Sequence, residues 1–459
     1  MEVLQRTANR GSIATGGYEI ANSLKLESDN AEYIDNRHYT AGNTRTWTLS
    51  FWIKRTELGT TQKVYDAGNA AMVAFLSTDI IKIENSNLYL ETNTVFRDTS
   101  AWYHIVVLND STQSTASDRA KLWINGVQET SFSIETYMAQ NQEGNMNSAT
   151  SISIGGAVGV HVNGYMAELF FVDGQALAPT DFGEFDEDNG IWKPKEYNGT
   201  LSGTSIKLDF SNSAALWEDS SGLTGNGTAM SGNNITSANQ ATDTPTNNFA
   251  TFNAVLPKAD LREGATRFFN HDAGEDTNLS TIAVTSGKWY AEFSSPSNIS
   301  GGNGRVGVSA NVSGQISEDV YLGGDAWNVA VTSSTGSVGT NNSFSSYLGS
   351  GFSANDLISV ALDMDNKKVY FALNGTWGNS GNPATGTNGV SLPSAYEDYE
   401  WFIGVTLVLN TNTFNANYGG FTTISISSAA TDENGYGNFE YAPPSGYYAL
   451  CTKNLAEYG

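Results

Sequence analysis

The sequence predicts an all-β protein made of two antiparallel β-sandwich (jelly-roll-like) domains in series. The chain of 459 residues is too long for one ordinary core, and two domains of roughly 150–200 residues are the usual solution at this length. Glycine is abundant (47) and proline scarce (9). Asn, Ser and Thr crowd the segments between short apolar runs, and no stretch has the periodicity of a long amphipathic helix. Short strands joined by turns are typical of this composition.

The first half contains four stretches with the residue pattern of strands. They are Trp47-Thr-Leu-Ser-Phe-Trp-Ile-Lys54, Trp102-Tyr-His-Ile-Val-Val107, Lys121-Leu-Trp-Ile-Asn-Gly-Val-Gln128 and Gly164-Tyr-Met-Ala-Glu-Leu-Phe-Phe-Val172. Alternation places four large side chains of the first stretch on one face: Trp47, Leu49, Phe51 and Ile53. Asn125-Gly126 predicts a hairpin in the third stretch, because a type I′ turn needs positive φ at both central residues.

The second half repeats the theme without repeating the sequence. Its strand-like stretches are Gly287–Phe293, Arg305–Ser309, Asp356–Asp365, Lys368–Gly375 and Trp401–Leu409. The predicted organisation is therefore an N-terminal arm (1–16), a first sandwich (17–195), a Gly/Ser/Asn-rich linker with one or two strands (196–256), and a second sandwich with a C-terminal extension (257–459).

Charge and composition exclude several classes of partner. The net charge is −25, from 48 acidic and 23 basic residues, so the protein repels phosphate backbones and nucleic acid is not expected as a partner. No run approaches the ~18 apolar residues of a membrane-spanning helix, so membrane insertion is not expected. The start has no apolar signal region, which predicts synthesis in a host cytoplasm without an export signal. With Cys451 as the single cysteine, no disulfide can form within the chain.

The first half resembles the laminin-G/concanavalin A-like superfamily over residues 17–195. The resemblance is carried, in this order, by Trp47–Lys54, Trp102–Val107, Lys121–Gly126 and Gly164–Leu169. The second half resembles SPRY domains. There the resemblance is carried by Gly287-Lys-Trp-Tyr-Ala-Glu-Phe293, by Val306-Gly-Val308, and above all by Asp356–Asp365, Asn366 and Val369-Tyr-Phe-Ala-Leu-Asn-Gly375. The stretch 410–437 departs from the SPRY pattern, because extra Thr, Ser and Ala residues follow Asn417-Tyr-Gly419. Both resemblances imply β-sandwiches.

The combination resembles structural proteins of tailed phages, marine and cyanophage-like ones in particular. The resemblance is carried by Tyr18-Glu-Ile-Ala-Asn-Ser-Leu24, Phe171-Val-Asp-Gly-Gln-Ala-Leu177, Thr180-Asp-Phe-Gly183 and the ending Pro443-Pro-Ser-Gly-Tyr447 with Leu450-Cys-Thr-Lys-Asn-Leu455. It implies a virion protein, either a tail fibre or appendage or a capsid decoration, with other virion proteins as partners. A homo-oligomer is expected, because weak contacts gain from multiple copies.

Loops of the second half are the candidate ligand-binding sites. Tyr321-Leu-Gly-Gly-Asp-Ala-Trp327 and Trp377-Gly-Asn-Ser-Gly381 place aromatic rings in Gly/Asn-rich turns. A flat ring beside polar groups suits a sugar face. The candidates are Asp325, Trp327, Trp377 and Asn379, for a host-surface glycan or receptor protein. The alternative is that each tryptophan caps the sandwich core.

Acidic residues of the first half raise the questions of metal binding and catalysis. No cofactor is expected, but calcium remains an alternative to plain solvated loops at Asp173, Asp186 and Asp188, with Asp209 as a further candidate. Alternation in Glu184-Phe-Asp-Glu-Asp188 would bring carboxylates together as glycan hydrolases require. Its neighbours are not those of a buried strand, so no enzyme activity is expected. His104, inside a strand, is predicted to be structural.

The sequence thus favours a non-catalytic virion protein that displays loops for a host-surface glycan or protein. Two alternatives stay open. One alternative is a free lectin-like carbohydrate-binding protein, which the missing export signal disfavours. The other alternative is a purely architectural capsid cement protein. All three need stable sandwiches and polar loops, so the sequence does not separate them.

Overall fold

The computed structural model describes residues 17–37, 41–68, 70–157, 159–187, 189–223, 230–256, 260–270, 274–297, 299, 304–312, 321–408 and 412–459. The expected arm at 1–16, Asp188, His38 and His271 lie outside these residues. The chain divides into two compact units, Met1–Asn247 and Asn248–Gly459. The sequence placed the start of the second domain at 257.

The first unit is built from short antiparallel strands. Over its described residues these are, in chain order, β1 (Ser23–Leu26), β2 (Tyr33–Arg37), β3 (Thr46–Arg55), β4 (Gln62–Asp66), β5 (Ala71–Phe75), β6 (Ile81–Asn85), β7 (Leu88–Thr92), β8 (Tyr103–Asp110), β9 (Ala120–Ile124), β10 (Val127–Glu129), β11 (Phe132–Thr136), β12 (Ser151–Ile154), β13 (Gly156–Ala157), β14 (Val160–His161), β15 (Gly164–Asp173), β16 (Gly183–Phe185), β17 (Trp192–Pro194), β18 (Ile206–Leu208), β19 (Ser231–Asn233) and β20 (Gln240–Ala241).

Two large sheets enclose the core of the first unit. One has the order β10-β9-β8-β3-β15-β1-β20, with β18 also on β15, and the other has the order β11-β7-β6-β5-β4-β12-β2-β19. Trp47, Leu49, Phe51 and Ile53 of β3 are all buried in this core, as their alternation predicts. The turn between β9 and β10 has positive φ at Asn125 and Gly126, which confirms the predicted hairpin.

Most of the segment 196–256 belongs to the first unit. Strand β18 pairs with β15, β19 with β2, and β20 with β1, all antiparallel. Leu208 and Phe210 are buried in the core between the sheets. The polar composition of this segment reflects its turns, while its few apolar residues supply enough burial to hold it on the sheets.

The second unit is also built from short strands, with one α-helix among its described residues. The strands are β21 (Asp260–Arg262), β22 (Arg267–Phe269), β23 (Asp276–Leu279), β24 (Lys288–Ser294), β25 (Gly304–Ala310), β26 (Asn328–Thr332), β27 (Ser337–Thr340), β28 (Ser343–Ser346), β29 (Leu357–Asp363), β30 (Lys368–Leu373), β31 (Thr376–Trp377), β32 (Val390–Ser391), β33 (Trp401–Leu407), β34 (Thr413–Asn417) and β35 (Tyr448–Ala449), and the helix is α1 (Thr452–Tyr458).

These strands form two facing sheets. One has the order β21-β22-β34-β24-β29-β30-β31, with β32 on β30 and β35 on β24, and the other has the order β23-β33-β25-β26-β27-β28. Their inner faces bury Trp289 and Trp401 completely. The predicted all-β architecture of sandwiches in series is confirmed. Across the described residues, no helix has the length and apolar character needed to cross a bilayer.

The C-terminal extension covers the outer face of the larger sheet in the second unit. A second apolar cluster forms there, called here the outer cluster, made of Phe249, Tyr290, Ala361, Tyr370, Phe439, Tyr447, Ala449 and Cys451. The buried carboxylate of Glu292 on β24 holds the extension in place, since it accepts the backbone N–H groups of Glu440 and Tyr441 at 3.0 and 2.9 Å. The layer over this sheet is thus formed by Phe439, Tyr447, Ala449 and Cys451, which follow the stretch 410–437 that departs from the SPRY pattern.

Candidate functional site

Hydrogen bonds of Asp325 hold the loop before β26 in place. The Asp325 carbonyl oxygen accepts the backbone N–H of Asn341 at 3.0 Å and the hydroxyl of Thr340 at 3.2 Å. Its carboxylate lies 3.4 Å from Nδ2 of Asn328. Asp325 therefore ties this loop to the turn between β27 and β28, and it is only partly accessible.

Trp327 occupies a half-buried position at the end of the same loop. Its ring packs against the core of the second unit and meets Tyr396 edge-on, with centroids 6.3 Å apart. The Nε1 atom is buried and has no hydrogen-bond partner among the described residues. Trp327 thus packs on the sandwich core, as the capping alternative expects, and also supports an aromatic neighbour.

Three aromatic side chains meet at this place: Trp327, Tyr396 and Tyr399. We call them the aromatic patch. Tyr396 lies 5.8 Å from Tyr399 in a tilted arrangement. The turn that carries both tyrosines is closed by a hydrogen bond from Tyr399 N–H to the Tyr396 carbonyl, at 3.1 Å. Tyr399 is 44% exposed, so the patch offers a ring to solvent on a fixed support.

Acidic side chains border the aromatic patch. Glu397 and Asp398 lie between the two tyrosines in the chain, and Asp398 is exposed. Glu400 accepts a hydrogen bond from Nδ2 of Asn311 at 2.8 Å. The sequence reasoning singled out Trp327 but missed the tyrosines. The available signal was the run Tyr396-Glu-Asp-Tyr-Glu-Trp401, where aromatic and acidic residues alternate directly before a buried strand.

Trp377 and Asn379 lie in a separate part of the second unit. Trp377 pairs with Ala372 of β30 and packs against the outer cluster. Asn379 has φ +52° and donates its backbone N–H to the carbonyl of Tyr347 at 2.9 Å, while its side chain is exposed. A Cβ atom on Gly378 would come within 2.4 Å of the Tyr347 ring. The glycine is therefore required by close packing, which fixes this loop.

The structure does not bring the two candidate loops together. Among the described residues, no hydrogen bond or ring contact joins Asp325 or Trp327 to Trp377 or Asn379. Trp327 contacts Tyr396 in the segment that precedes β33, whereas Trp377 pairs with the end of β30. Of the two loops, the one with Trp327 has exposed aromatic surface next to it and is the better candidate.

The metal-binding candidates of the first unit have protein partners already. The carboxylate of Asp173 accepts the backbone N–H groups of Asn43 and Thr204, at 2.7 and 3.1 Å, and Nδ2 of Asn147 at 2.6 Å. Asp209 accepts the backbone N–H of Ser211 at 3.0 Å. Over the part of the chain that is described, no group of three or more His, Cys, Asp or Glu side chains could hold a metal ion.

Two acids of the stretch 184–187, Glu184 and Asp186, pair with a lysine. Strands β16 and β17 form a hairpin, in which Lys193 Nζ lies 3.5 Å from Glu184 and 3.1 Å from Asp186. The hydrogen bond to Asp186 raises the pKa of Lys193. The ammonium occupies the space between the two carboxylates, where a hydrolase would need the substrate. Asp188 lies outside the described residues.

His104 is enclosed in the outer face of the first unit. Its ring stacks on Trp52 at 4.5 Å and on Trp192 at 5.9 Å. Nδ1 lies 3.0 Å from Nε1 of Trp192, and Nε2 lies 2.9 Å from the hydroxyl of Ser50. Burial lowers the pKa of His104 to about 3. The histidine is therefore neutral at physiological pH. Its contacts with Trp52, Trp192 and Ser50 are those of a structural residue.

Glu168 is a buried acid that the sequence did not single out. It lies at the register shift of β15 against β3, between Ala167 and Phe170, and has φ +43°. Its carboxylate accepts a hydrogen bond from the hydroxyl of Tyr18. Burial raises the pKa of Glu168 to about 7, although Tyr18 and the nearby Lys207 act in the opposite direction. A raised acid pKa marks an unusual environment and not by itself a function.

Two parts of the chain match models of known domain families. Residues 27–181 match a family model described as the concanavalin A-like lectin/glucanases superfamily, and residues 288–385 match the SPRY domain. No curated protein matches the chain. Similar solved structures include the SPRY domain of human HERC1, with 18% identity and a TM-score of 0.27 over 33% of this chain and 87% of that chain. A human SPRY domain has 14% identity and a TM-score of 0.25 over 33% and 90%.

The two family matches fall on the two structural units, one within Met1–Asn247 and the other within Asn248–Gly459. They confirm the sequence resemblance at the level of domains. Residues 27–181 are thus similar to concanavalin A-like domains and residues 288–385 to SPRY domains, and both units are β-sandwiches.

Proposed function

We propose that this chain is a non-catalytic binding protein of a virus particle, and that the aromatic patch binds a carbohydrate on a host surface. The observation that carries the binding proposal is the exposed Tyr399 ring held by Tyr396 and Trp327. Sugar rings present flat C–H faces that pack on aromatic rings, and hydroxyls that bond to nearby polar groups. Glu397 and Asp398, which lie between the two tyrosines in the chain, supply carboxylate acceptors for such hydroxyls.

The patch is suited to weak binding in many copies. Its base is rigid, because Trp327 packs on the core and the Tyr396 carbonyl accepts the Nε1 hydrogen of the buried Trp401 at 3.0 Å. A rigid base lowers the entropy lost on binding. A homo-oligomer, or many copies on one particle, would multiply weak contacts by ~10²–10⁴ in avidity.

The absence of catalysis is part of the proposal. Its support is that Lys193 lies between Glu184 and Asp186, the carboxylates that came nearest to a hydrolase pair. Glycoside hydrolysis needs the gap between its two carboxyl groups for the glycosidic bond, and here the ammonium is within ion-pair distance of both acids.

The virion assignment is supported by the sequence resemblance to tailed-phage structural proteins. The test is quantitative mass spectrometry of density-purified particles of the virus that encodes the chain. We expect a fixed ratio to the major capsid protein after a high-salt wash, with few copies for a tail appendage and hundreds for a capsid decoration. Abundance in the soluble lysate with absence from particles would overturn this assignment and favour a free lectin.

The binding proposal is tested by applying the full chain to an array of immobilised glycans, followed by titration of the best-bound oligosaccharide. We expect Tyr399→Ala to weaken binding at least tenfold. Phe185→Ala is the matched control, because Phe185 is an aromatic residue of similar exposure (49%) in the first unit. Equal losses in both variants, or no binding to any glycan, would contradict a carbohydrate site at the patch. If the protein stays on the particle but does not mediate attachment of the particle to its host, a cement protein would then be indicated.

A further inference from the structure

A lysine and an aspartate are paired with no access to solvent on the outer face of the first unit. Lys54 at the end of β3 is 0% exposed in its side chain, and Asp243, which follows β20, is 1% exposed. Lys54 Nζ lies 2.7 Å from Oδ2 of Asp243. Two charges withdrawn from water in this way carry a large desolvation cost, which only very good geometry repays.

The other oxygen of the same carboxylate has its own donor. Nε1 of Trp102 lies 3.1 Å from Oδ1 of Asp243. The Lys54 ammonium also lies over the Tyr165 ring, 5.8 Å from its centroid, and Trp102 packs near Tyr165. The pair thus lies against the rings of Tyr165 and Trp102. The Lys54 ammonium contacts one oxygen of Asp243, and the neutral indole N–H of Trp102 contacts the other.

We propose that Lys54 and Asp243 condense to an intramolecular isopeptide bond. The reaction begins with proton transfer from the ammonium to the carboxylate, and the 2.7 Å contact between Lys54 Nζ and Asp243 Oδ2 places the two groups within reach of that transfer. An N–H donor aimed at the carbonyl oxygen stabilises the negative charge that develops there during acyl transfer. Trp102 supplies this donor, so the three residues together form a condensation site.

The step balances without any co-reactant. The Lys54 ammonium passes one proton to Oδ2 of Asp243, and its nitrogen then forms a bond to Cγ, with the negative charge on Oδ1 next to Trp102. A second proton moves from nitrogen to Oδ2, the Cγ–Oδ2 bond breaks with its electron pair, and water leaves. The charge on Oδ1 returns to the carbonyl double bond, and the amide keeps the third proton.

A neighbouring pair provides an internal comparison. Lys25 and Glu32 are also buried, but Nζ of Lys25 lies 3.2 and 3.1 Å from the two oxygens of Glu32. An ammonium shared equally by both oxygens has the arrangement of a bidentate ion pair. In the Lys54 pair, Oδ2 of Asp243 contacts the Lys54 nitrogen and Oδ1 contacts Trp102. We therefore assign the bond to Lys54 and Asp243 and expect none at Lys25.

The bond would join β3 to the segment that follows β20, so it would hold the last part of the first unit on the sheet. This inference is independent of the carbohydrate proposal, because it uses none of the residues of the aromatic patch. Closing a long loop of chain in this way restricts the unfolded state, as a disulfide does in secreted proteins. The single cysteine of this chain rules out a disulfide for that purpose.

The experiment is an intact mass measurement of the denatured full chain, followed by peptide mapping. We expect a mass lower than the sequence mass by one water molecule, and a linked peptide that joins Lys54 to Asp243. Lys54→Arg and Asp243→Ala should each restore the full sequence mass, whereas the matched control Lys25→Arg should keep the loss of water. The unmodified sequence mass in the wild-type chain, or a linkage at Lys25 and Glu32, would overturn the proposal.

The role of Trp102 is tested by Trp102→Phe, which keeps an aromatic wall and removes the N–H donor. We expect the isopeptide bond to form roughly 10²-fold more slowly, as when one donor to a developing oxyanion is removed. The rate is measured from the linked fraction at successive times after synthesis. An unchanged rate would show that Trp102 does not stabilise the intermediate, and would contradict the three-residue site.

Discussion

The indole Nε1 of Trp192 donates a hydrogen bond to Nδ1 of His104 across 3.0 Å, and the two rings stack. The contact fixes the protonation of the histidine, because a nitrogen that accepts from an indole carries no proton of its own. The remaining ring nitrogen, Nε2, is then the one that carries the hydrogen and donates it to the hydroxyl of Ser50. His104 thus connects β8, β3 and the hairpin of β16 and β17.

This arrangement predicts acid sensitivity of the first unit. The pKa of His104 is about 3 in the folded chain, against an ordinary value of 6.5. Protonation therefore favours the unfolded state, and the contribution of His104 is lost as pH falls below 6.5. We expect a cost of about 2 kcal/mol at pH 5 relative to pH 7.5. Denaturant unfolding of the full chain and of His104→Gln at both pH values measures it, and equal pH dependence in both proteins would contradict the assignment.

Glu168 predicts the opposite pH dependence. Its folded pKa of about 7 lies above the ordinary value of 4.5, so its ionisation favours the unfolded state. The stabilisation from its neutral form is complete below pH 4.5 and is lost as pH rises through 7. We expect a loss of about 3 kcal/mol at most.

Glu168→Gln should remove this loss, which denaturant unfolding between pH 5 and 8 measures. The paired variant Tyr18→Phe removes the hydrogen bond that lowers the pKa of Glu168, so it should move the loss to higher pH. Unchanged pH dependence in both variants would mean that Glu168 does not titrate in this range.

Asp173 is expected to act as a structural residue. Asp173→Ala leaves two backbone N–H groups and the amide of Asn147 without their acceptor, and we expect a loss of about 3 kcal/mol or more. The measurement is the unfolding free energy of the variant. In the same assay, calcium and a chelator should leave the wild-type transition unchanged. A rise of the transition with calcium that disappears in Asp173→Ala would instead establish a cation site.

Glu292 is expected to control the attachment of the C-terminal extension. Glu292→Ala removes the acceptor for the backbone of Glu440 and Tyr441 and for Nδ2 of Asn417. We expect faster hydrogen exchange and faster proteolysis in the segment 420–447, with smaller changes in the sheets. Glu433→Ala is the matched control, because Glu433 is an exposed acid of the same segment whose carboxylate accepts the hydroxyl of Ser445. Equal protection of the segment in both variants would contradict this role.

Local pattern was enough to predict the strands and the hairpin at Asn125-Gly126, because alternation and turn chemistry act between near neighbours. It was also enough to identify both domain families. The site was less predictable. Tyr396 and Trp327 are distant in sequence and meet only through the pairing of strands, and the partners of Asp173 come from three separate loops. The lysine between Glu184 and Asp186 required the β16–β17 hairpin, which the sequence did not indicate.

The outer cluster has a consequence for dissecting the molecule. The SPRY match ends at residue 385, but Tyr290 and Tyr370 on the outer face of that sheet are covered by Phe439, Tyr447 and Ala449. A recombinant fragment trimmed to the family limits would expose aromatic rings to water and would tend to precipitate. Such a fragment would also lack β33 and β34, which lie within the two sheets, so the excised domain should run to Gly459.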